Sequence, residues 1–409
     1  MRIALVGHAC SPYVGSEPGI TWNWAIHLAA LHEVTLLSHP QHRTDVETEL
    51  AKLPLPNLKI QWITLPGWID PWKPEKGERG LRLHYRFWQN AALRALRQLH
   101  ATAPFDLVHH VSWGSLQQPS PAWKLGIPFV WGPVGGGQVW PAAFLGYAGA
   151  GAKTERFRRL MVRLTRFNLP VVRAARHADL ILTINRETAK IVDGIGARRA
   201  EHLTDYGTKE SWLSAPVTRQ ASAGRLSMLW GGRCEPRKGL PLVLEAMAKR
   251  NAPQIQLTVA GSGPSLEQWK QLASKLGVAE RVSFLGQVPW ARMGELFAGC
   301  DALIFPSLRD SQGTIVLEAM ARGVPIIALD HQGVGTVVPA DAGVKVAVTT
   351  PQQTIAGFAE AMRMLADDPE RRLAMGRAAA AFSAEQTWEK RVARMSVWYE
   401  EVVHAHRHL

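Results

Sequence analysis

The sequence predicts an α/β protein of two Rossmann-like domains, each built on a doubly wound parallel sheet, that face a central cleft. Three observations lead to this expectation. The chain has 409 residues, which is too long for one ordinary hydrophobic core. Two separate stretches alternate short apolar strands with helical patterns, as parallel sheets with right-handed crossovers do. Between these stretches, residues 213–224 are poor in large apolar side chains.

The first stretch opens with an apolar strand at 2–7 that runs into a glycine-containing loop. A helical pattern follows at 19–31. The further strands predicted in this half are 33–38, 107–111, 127–131 and 178–183.

In the second stretch the same alternation restarts after the apolar-poor segment. The predicted strands are 226–230, 256–260, 282–285, 302–305 and 324–328, and the predicted helices are 240–249 and 265–276. We therefore assign 1–212 to an N-terminal domain, 213–224 to a linker and 225–384 to a C-terminal domain. Residues 385–409 form a predicted helix that crosses back to the N-terminal domain.

Composition narrows the class of protein. The formal net charge is +13, from 47 basic and 34 acidic side chains, which favours anionic partners such as phosphates, nucleic acid or an acidic membrane surface. Cys10, Cys234 and Cys300 are far apart and show no disulfide framework. No apolar run reaches the roughly 20 residues of a membrane helix, and the N-terminus lacks a signal-peptide pattern. We therefore expect a cytoplasmic protein.

The most specific motif lies at 305–329, where a strand ends, a loop carries Asp310, and a helix starts near Thr314. Gly313 precedes the helix and Glu318 lies one turn inside it. Backbone N–H groups at a helix start bind anions, and the helix dipole adds to this preference. Two carboxylates beside an anion site are able to accept hydrogen bonds from hydroxyl groups of the same ligand. The alternative interpretation, that Asp310 caps the helix and Glu318 is solvated, stays open on spacing alone.

A second motif, 231–239, follows the first strand of the C-terminal half, where a doubly wound sheet places its ligand loop. Arg233 and Lys238 in this loop are able to neutralise a diphosphate. The arginine guanidinium binds phosphate oxygens in a defined orientation, and the lysine ammonium acts as a point charge. Taken by itself, a basic loop is also compatible with a solvated surface. The two motifs together predict one site at the ends of neighbouring strands.

These two motifs resemble the retaining glycosyltransferases of family 4, which have the GT-B fold. The resemblance is carried by Gly-Arg and Lys-Gly in 232–239, by the acid-x7-acid block from Asp310 to Glu318, and by Ala-Met-Ala-Arg-Gly-Val-Pro at 319–325. It implies transfer of a sugar from a UDP- or GDP-linked donor to a hydroxyl acceptor, in bacterial polysaccharide or lipid-linked glycan biosynthesis. It also implies that the N-terminal domain holds the acceptor and the C-terminal domain the donor.

The resemblance assigns roles to individual residues. Arg233 and Lys238 contact the donor diphosphate and stabilise the departing charge, Glu318 binds the ribose, and Asp310 lies near the donor sugar hydroxyls. The family usually has Glu at the position of Asp310, which is one methylene shorter. The donor-binding set is Gly15, Gly232, Arg233, Lys238, Asp310, Gly313, Thr314, Ile315 and Glu318, and the catalytic set is Arg233, Lys238, Asp310 and His109.

Matches in the N-terminal half are weaker. The loop 12–19 resembles the loop after the family's first strand, with Gly15 near the donor phosphate and with Ser16 and Glu17 on the acceptor side. His109 aligns with the first histidine of the family's usual His-x-His, whereas the second position is Val111. Either His109 or His110 therefore faces the donor sugar, with His110 assigned to the acceptor side, and a structural role for both is the alternative.

Residues 153–176 contain eight basic side chains and one acid, with apolar residues at helical spacing. Such a basic amphipathic helix either lies peripherally on an anionic membrane, on its inner face, or packs its apolar stripe and exposes a solvated face. The acceptor is accordingly a carbohydrate or a lipid-linked one.

Other classes of function remain as alternatives. A nucleotide-sugar epimerase, a phosphorylase and a non-catalytic sugar-binding protein are compatible with the same motifs. No zinc spacing, RRM signature or helix-turn-helix pattern supports nucleic-acid binding. The sequence contains no Asp-x-Asp triplet, Walker loop or His/Cys cluster. We therefore expect no cofactor and no metal, with Lys and Arg supplying the charge that a metal supplies elsewhere.

Overall fold

The computed structural model describes residues 1–73, 77–213, 224–249 and 254–407. Two compact units divide these residues. Unit 1 comprises Met1–Gly137, Arg163–Gly207 and the segment from Trp388 onward, and unit 2 comprises Gln138–Val162 and Thr208–Thr387. The predicted linker falls mostly on 214–223, which lie outside the described residues.

Unit 1 is built on a parallel sheet of seven strands within the described residues, in the order β3-β2-β1-β4-β5-β6-β7. The strands are β1 (Arg2–Gly7), β2 (Glu33–Ser38), β3 (Leu58–Trp62), β4 (Leu107–Ser112), β5 (Phe129–Val134), β6 (Leu180–Thr183) and β7 (Ala200–His202). The helices, numbered through the whole chain, are α1 (Glu17–Ala29), α2 (Arg43–Lys52), α3 (Leu81–Thr102), α5 (Leu169–His177), α6 (Arg186–Gly194) and α15 (Trp388–His406).

The unit 1 sheet is covered by helices on both faces, because successive side chains of each strand point to opposite faces of the sheet. Ile3 and Leu5 of β1 pack with α1 and α15, whereas Ala4 and Val6 pack with α3. The helix α15 is therefore part of the core of unit 1, although it comes last in the chain.

Unit 2 repeats this architecture with six parallel strands among the described residues, in the order β10-β9-β8-β11-β12-β13. The strands are β8 (Arg225–Gly231), β9 (Gln254–Ala260), β10 (Val282–Gly286), β11 (Ala302–Phe305), β12 (Ile326–Leu329) and β13 (Gly343–Val346). The helices are α4 (Ala152–Leu164, within unit 2 up to Val162), α7 (Glu210–Leu213), α8 (Leu240–Met247), α9 (Leu266–Lys275), α10 (Trp290–Ala298), α11 (Thr314–Ala321), α12 (Gln332–Val337), α13 (Pro351–Asp367) and α14 (Pro369–Ala384).

The strand order of each sheet reverses beside its first strand, between β1 and β4 in unit 1 and between β8 and β11 in unit 2. Doubly wound sheets bind ligands at such switch points, outside the carboxyl ends of the strands. The predicted class of two Rossmann-like parallel-sheet domains is confirmed. The strands β3, β7 and β13 were not predicted, and α15 begins later than the predicted helix 385–409.

Candidate functional site

Two loops of unit 2 meet at the carboxyl ends of β8 and β11. The first loop spans 232–239 and the second spans 306–313. Gly239 has a left-handed backbone with φ of 68°, and a Cβ at this position would collide with the carbonyl oxygen of Pro306. Glycine is required here for both reasons, since it tolerates this conformation and leaves room for the second loop.

An ion pair joins the two loops. The ammonium of Lys238 donates a hydrogen bond to Oδ2 of Asp310, and Nη1 of Arg237 lies 3.4 Å from the same oxygen. The side chains of Lys238 and Asp310 are 14% and 15% exposed. Burial raises the pKa of Asp310, but Lys238, Arg237 and the hydroxyl of Ser307 outweigh burial and hold this pKa below its ordinary value. Asp310 is therefore a charged carboxylate at the strand ends.

Arg233 lies in the same loop but is 71% exposed, and its Nε is 3.0 Å from Oε1 of Glu235. The other carboxylate oxygen of Glu235 lies 2.8 Å from Nε of Arg237. Arg237 rather than Arg233 is thus the arginine that contacts Asp310. Sequence reasoning did not select Arg237, although its place beside Lys238 was a usable signal. The role of Arg233 stays a prediction.

The start of α11 lies next to this ion pair. Gly313 precedes the helix with φ of 81°, and a Cβ there would come within 2.5 Å of the Phe305 ring. The first helical residues, Thr314 and Ile315, are exposed and partly exposed. Gly232, at the start of the other loop, is also partly exposed. The start of α11 is therefore open to solvent, and a helix start of this kind favours an anion.

Gln332 holds the second loop in place, a role that sequence reasoning missed. Its Oε1 accepts a hydrogen bond from the backbone N–H of Asp310 over 2.8 Å. Its Nε2 donates to the carbonyls of Val139 at 2.9 Å and Leu308 at 3.3 Å. The amide thus fixes the backbone that carries Asp310. These contacts arise from tertiary packing, so no local sequence pattern indicates them.

Glu318 lies one turn inside α11 and is 9% exposed. Burial raises the pKa of Glu318, while a hydrogen bond from the Trp290 indole and the charges of Arg322 and Lys209 act in the opposite direction. Nη1 of Arg322 also donates to the carbonyl of Glu318 over 3.2 Å. The predicted ribose-binding acid therefore has an indole N–H and two cations around it.

In unit 1, His109 and His110 are both buried on β4. Nδ1 of His109 is 2.5 Å from the hydroxyl of Tyr399, and its Nε2 is 2.7 Å from the carbonyl oxygen of Gly132. Nε2 of His110 is 2.8 Å from the hydroxyl of Tyr85. Both ring nitrogens of His109 are thus engaged within unit 1. A contact of either histidine with a sugar stays a prediction.

The loop before α1 places Gly15 and Ser16 at the surface. A Cβ at Gly15 would meet no atom within 4 Å, so packing within unit 1 does not require glycine there. Glu17, the first residue of α1, accepts a hydrogen bond from the backbone N–H of Gly114 over 3.3 Å. Burial and the nearby charge of Asp205 raise the pKa of Glu17 to about 8.

The basic segment predicted from the sequence forms α4, which is exposed along much of its length. Phe157, Leu160, Met161 and Leu164 are between 42% and 63% exposed. Their neighbours on the helix include the exposed cations Lys153, Arg156, Arg158 and Arg163. The apolar stripe therefore faces outward together with the positive charge, rather than being covered by packing.

Within the ranges that the structure describes, no group of three or more His, Cys, Asp or Glu side chains is arranged to hold a metal ion. In the same ranges, no helix combines the length and apolar character needed to cross a membrane.

Comparison with known proteins adds to this geometry. Residues 221–382 match the family described as Glycosyl transferases group 1. The matched segment contains both loops of the site.

Two curated relatives each match part of the chain. A D-inositol 3-phosphate glycosyltransferase of Segniliparus rotundus is 34% identical over 165 residues, which are 39% of this chain and 36% of the relative. A GDP-mannose-dependent alpha-(1-6)-phosphatidylinositol monomannoside mannosyltransferase of Mycolicibacterium smegmatis is 29% identical over 252 residues, 56% of this chain and 65% of the relative. The chain spans less than half the length of the first of these relatives.

Solved structures resemble the whole chain. Sucrose-phosphate synthase from Thermosynechococcus elongatus has a TM-score of 0.64 at 19% identity, and the match covers 99% of both chains. Anabaena HepE in complex with UDP has a TM-score of 0.60 at 16% identity, covering 97% of this chain and 100% of that one. At these identities the likeness shows the fold, which is the two-domain GT-B fold.

Proposed function

We propose that this chain, whose residues 221–382 belong to the glycosyl transferases group 1, is a retaining glycosyltransferase that uses a UDP- or GDP-linked sugar and a hydroxyl acceptor. The observation that carries the proposal is the cationic group formed by Lys238 and Arg237 beside Asp310, next to the start of α11. This group lies at the switch point of the sheet, where such sheets bind ligands.

The diphosphate of the donor is bound by Lys238 and Arg233 and by the N–H groups at the start of α11. Arg233 is exposed, and within the described part of the chain its ionic partner is Glu235, so it is able to turn toward an arriving phosphate. Cations bound to the diphosphate stabilise the charge that develops as it departs, which lowers the barrier for the chemical step. Glu318 accepts hydrogen bonds from the ribose hydroxyls, and Asp310 accepts them from the sugar.

The reaction proceeds on one face of the donor sugar. The bond between the anomeric carbon and the diphosphate oxygen breaks, and the acceptor oxygen bonds to that carbon from the same side. The acceptor proton passes to the departing phosphate oxygen. Configuration is therefore retained without an enzyme nucleophile, and Lys238, Arg233 and Arg237 supply the positive charge for which other enzymes use a metal.

The acceptor is held by unit 1 through the loop that carries Gly15, Ser16 and Glu17, together with His110. Because its pKa is raised to about 8, Glu17 is largely protonated at neutral pH and able to donate a hydrogen bond to an acceptor oxygen. The acceptor is a carbohydrate or a lipid-linked carbohydrate.

A lipid-linked acceptor fits the surface of α4. We propose that this helix rests on an anionic bilayer, with its exposed apolar residues in the interface and its cations on the headgroups. Replacing both Phe157 and Leu160 by Ser should reduce co-sedimentation with phosphatidylglycerol vesicles. Leu285→Ser, which removes an equally exposed leucine from β10, is the matched control. Equal loss in both variants, or strong binding to neutral vesicles, would contradict this surface.

The donor is tested by thermal stabilisation with a panel of UDP- and GDP-sugars, because a ligand that binds the folded state raises its melting temperature by mass action. Product analysis by NMR with the stabilising sugar then reports the anomeric configuration. A product of inverted configuration would refute the retaining mechanism. Turnover of the donor without any acceptor would indicate an epimerase or hydrolase instead of a transferase.

A further inference from the structure

We propose that Glu155 and Arg309 are positioning residues, whose buried ion pair fixes the loop that carries Asp310 and so sets where this carboxylate meets the donor sugar. This inference rests on the proposed function, because it adds a support to the same donor site. Glu155 lies on α4, and Arg309 lies in the second loop of the site, 306–313. Both residues belong to unit 2.

The first argument is the geometry of the pair. Nε of Arg309 lies 3.2 Å from Oε2 of Glu155, and the two side chains are 20% and 10% exposed. Nε of Arg158 lies 3.8 Å from the same oxygen, but the Arg158 side chain is exposed. Exposed ion pairs contribute little, whereas removing one partner of a buried pair leaves an uncompensated charge. The pair with Arg309 is therefore the one that holds α4 and the second loop together.

The second argument is where the pair acts on the main chain. Arg309 directly precedes Asp310, and both polar groups of the peptide unit between them are bonded. The carbonyl oxygen of Arg309 accepts a hydrogen bond from Nη1 of Arg237 over 3.3 Å. The N–H of Asp310 donates to Oε1 of Gln332 over 2.8 Å. Glu155 adds a third attachment through the Arg309 side chain, so three elements fix the backbone from which the Asp310 carboxylate projects.

The third argument is the orientation of α4. At 3.6 residues per turn, every residue of the exposed apolar stripe lies about 120° or more around the helix from Glu155. Nη2 of Arg159, which lies on the same side of the helix as Glu155, donates a hydrogen bond to the carbonyl oxygen of Trp140 over 2.6 Å. The inner face of α4 is thus bound to unit 2 while the stripe stays exposed. The helix is therefore a fixed support for the loop, separate from whatever its outer surface binds.

The fourth argument is the chemistry that depends on this support. Asp310 is proposed to accept hydrogen bonds from the sugar, and because its side chain is short, its reach depends on where the backbone is held. Misplacing a reacting group by about 1 Å lowers the rate on the order of 100-fold. The proposed partners of the ribose and the diphosphate, Glu318 and Arg233, lie on other elements. Loss of the pair should therefore affect the sugar more than the nucleotide.

The test compares the steady-state kinetics of the parent chain, Glu155→Gln, Arg309→Met and the double variant, with a UDP- or GDP-sugar that the parent chain turns over. We expect kcat/KM for this donor to fall roughly 10- to 100-fold in each single variant. The inhibition constant of free UDP or GDP should change by less than about threefold. Because each single change already breaks the pair, the double variant should lose no more than the single variants do. Glu245→Gln is the matched control, since it alters a partly buried carboxylate of unit 2 that lies 3.1 Å from the Tyr147 hydroxyl, and it should leave both quantities unchanged.

Unchanged kcat/KM in both single variants would overturn the inference while leaving the proposed function intact. Losses that multiply in the double variant would overturn it as well, because the two residues would then act independently. Inhibition by UDP or GDP that weakens as much as kcat/KM would also count against it, because the effect would then be general damage to unit 2. If a single variant does not fold, the double variant decides, since it leaves neither charge unpaired, and a parental kcat/KM there is the contrary result. If the parent chain turns over no UDP- or GDP-sugar, the proposed function fails together with the inference.

Discussion

Removing Lys238 should destabilise unit 2 because it leaves the Asp310 carboxylate without its principal cation. Both side chains are largely buried, and breaking a buried pair by deleting one partner costs about 3–5 kcal/mol. Asp310 keeps Arg237 at 3.4 Å and the Ser307 hydroxyl at 3.3 Å, which places the expected loss for Lys238→Met near ~3 kcal/mol. The double variant Lys238→Met/Asp310→Asn buries no unpaired charge and should recover a large part of this loss.

The assay is urea denaturation of the parent chain, both single variants and the double variant, followed by a signal from unit 2. A double-mutant cycle gives the coupling energy, which we expect to be about 1.5 kcal/mol or more. Because the folded-state pKa of Asp310 is lowered, the contribution of the pair is present above the unfolded pKa of Asp, near ~4, and is lost as pH falls through the folded value. A coupling below about 0.5 kcal/mol at pH 7 would refute the pairing argument.

Four further predictions concern unit 1 and the chemistry. Glu17→Gln should raise the unfolding free energy at pH 8 by a few kcal/mol and have little effect at pH 4. The pKa of Glu17 is raised to about 8 in the folded state, so the folded state loses stability as the pH rises above the pKa that Glu17 has in the unfolded chain. Burial lowers the pKa of His39 and His109 to about 4 and that of His110 to about 3, so stability should fall between pH 6.5 and 4, by up to ~1.4 kcal/mol per pH unit for each histidine. Glycosyl transfer should survive EDTA, whereas Arg233→Ala should lower kcat/KM by about 100-fold or more.

Each of these has a clear contrary result. Equal stabilisation by Glu17→Gln at pH 4 and pH 8 would mean that titration of the carboxyl is irrelevant. For the histidines, His39→Gln should flatten the pH dependence of the unfolding free energy, and an unchanged slope would contradict the role of burial. Loss of activity in EDTA with recovery on adding Mn²⁺ would mean that a metal neutralises the charge of the diphosphate. An unaltered kcat/KM in Arg233→Ala would mean that this arginine does not contribute to the reaction.

The fold was predictable because the strands next to each switch point are apolar runs in the sequence. β1, β4, β8 and β11 are buried on both faces, and each was recognised from its composition. β7 escaped recognition because its three residues, Ala-Glu-His, carry no apolar run. The resemblance to group 1 glycosyltransferases is confirmed for 221–382 by the family match.

The site was predictable only in part. Lys238 and Asp310 stand out in the sequence and are joined in the structure. The partners that fix them are distant along the chain, so no local pattern reveals them. Gln332 reaches Asp310 across 22 residues, and Tyr399 reaches His109 across 290. A histidine motif at a strand end therefore suggested ligand contact for a side chain whose nitrogens are both engaged within unit 1.

The membership of α15 in unit 1 has a consequence for how the protein is made. Trp388, Met395 and Tyr399 enter the same core as Ile3 and Leu5 of β1, which precede all of unit 2 in the chain. The ribosome therefore completes all of unit 2 before it releases the residues that close the core of unit 1. During translation, part of one face of the unit 1 sheet therefore stays uncovered until α15 is made, so unit 2 is able to complete its packing before unit 1 does.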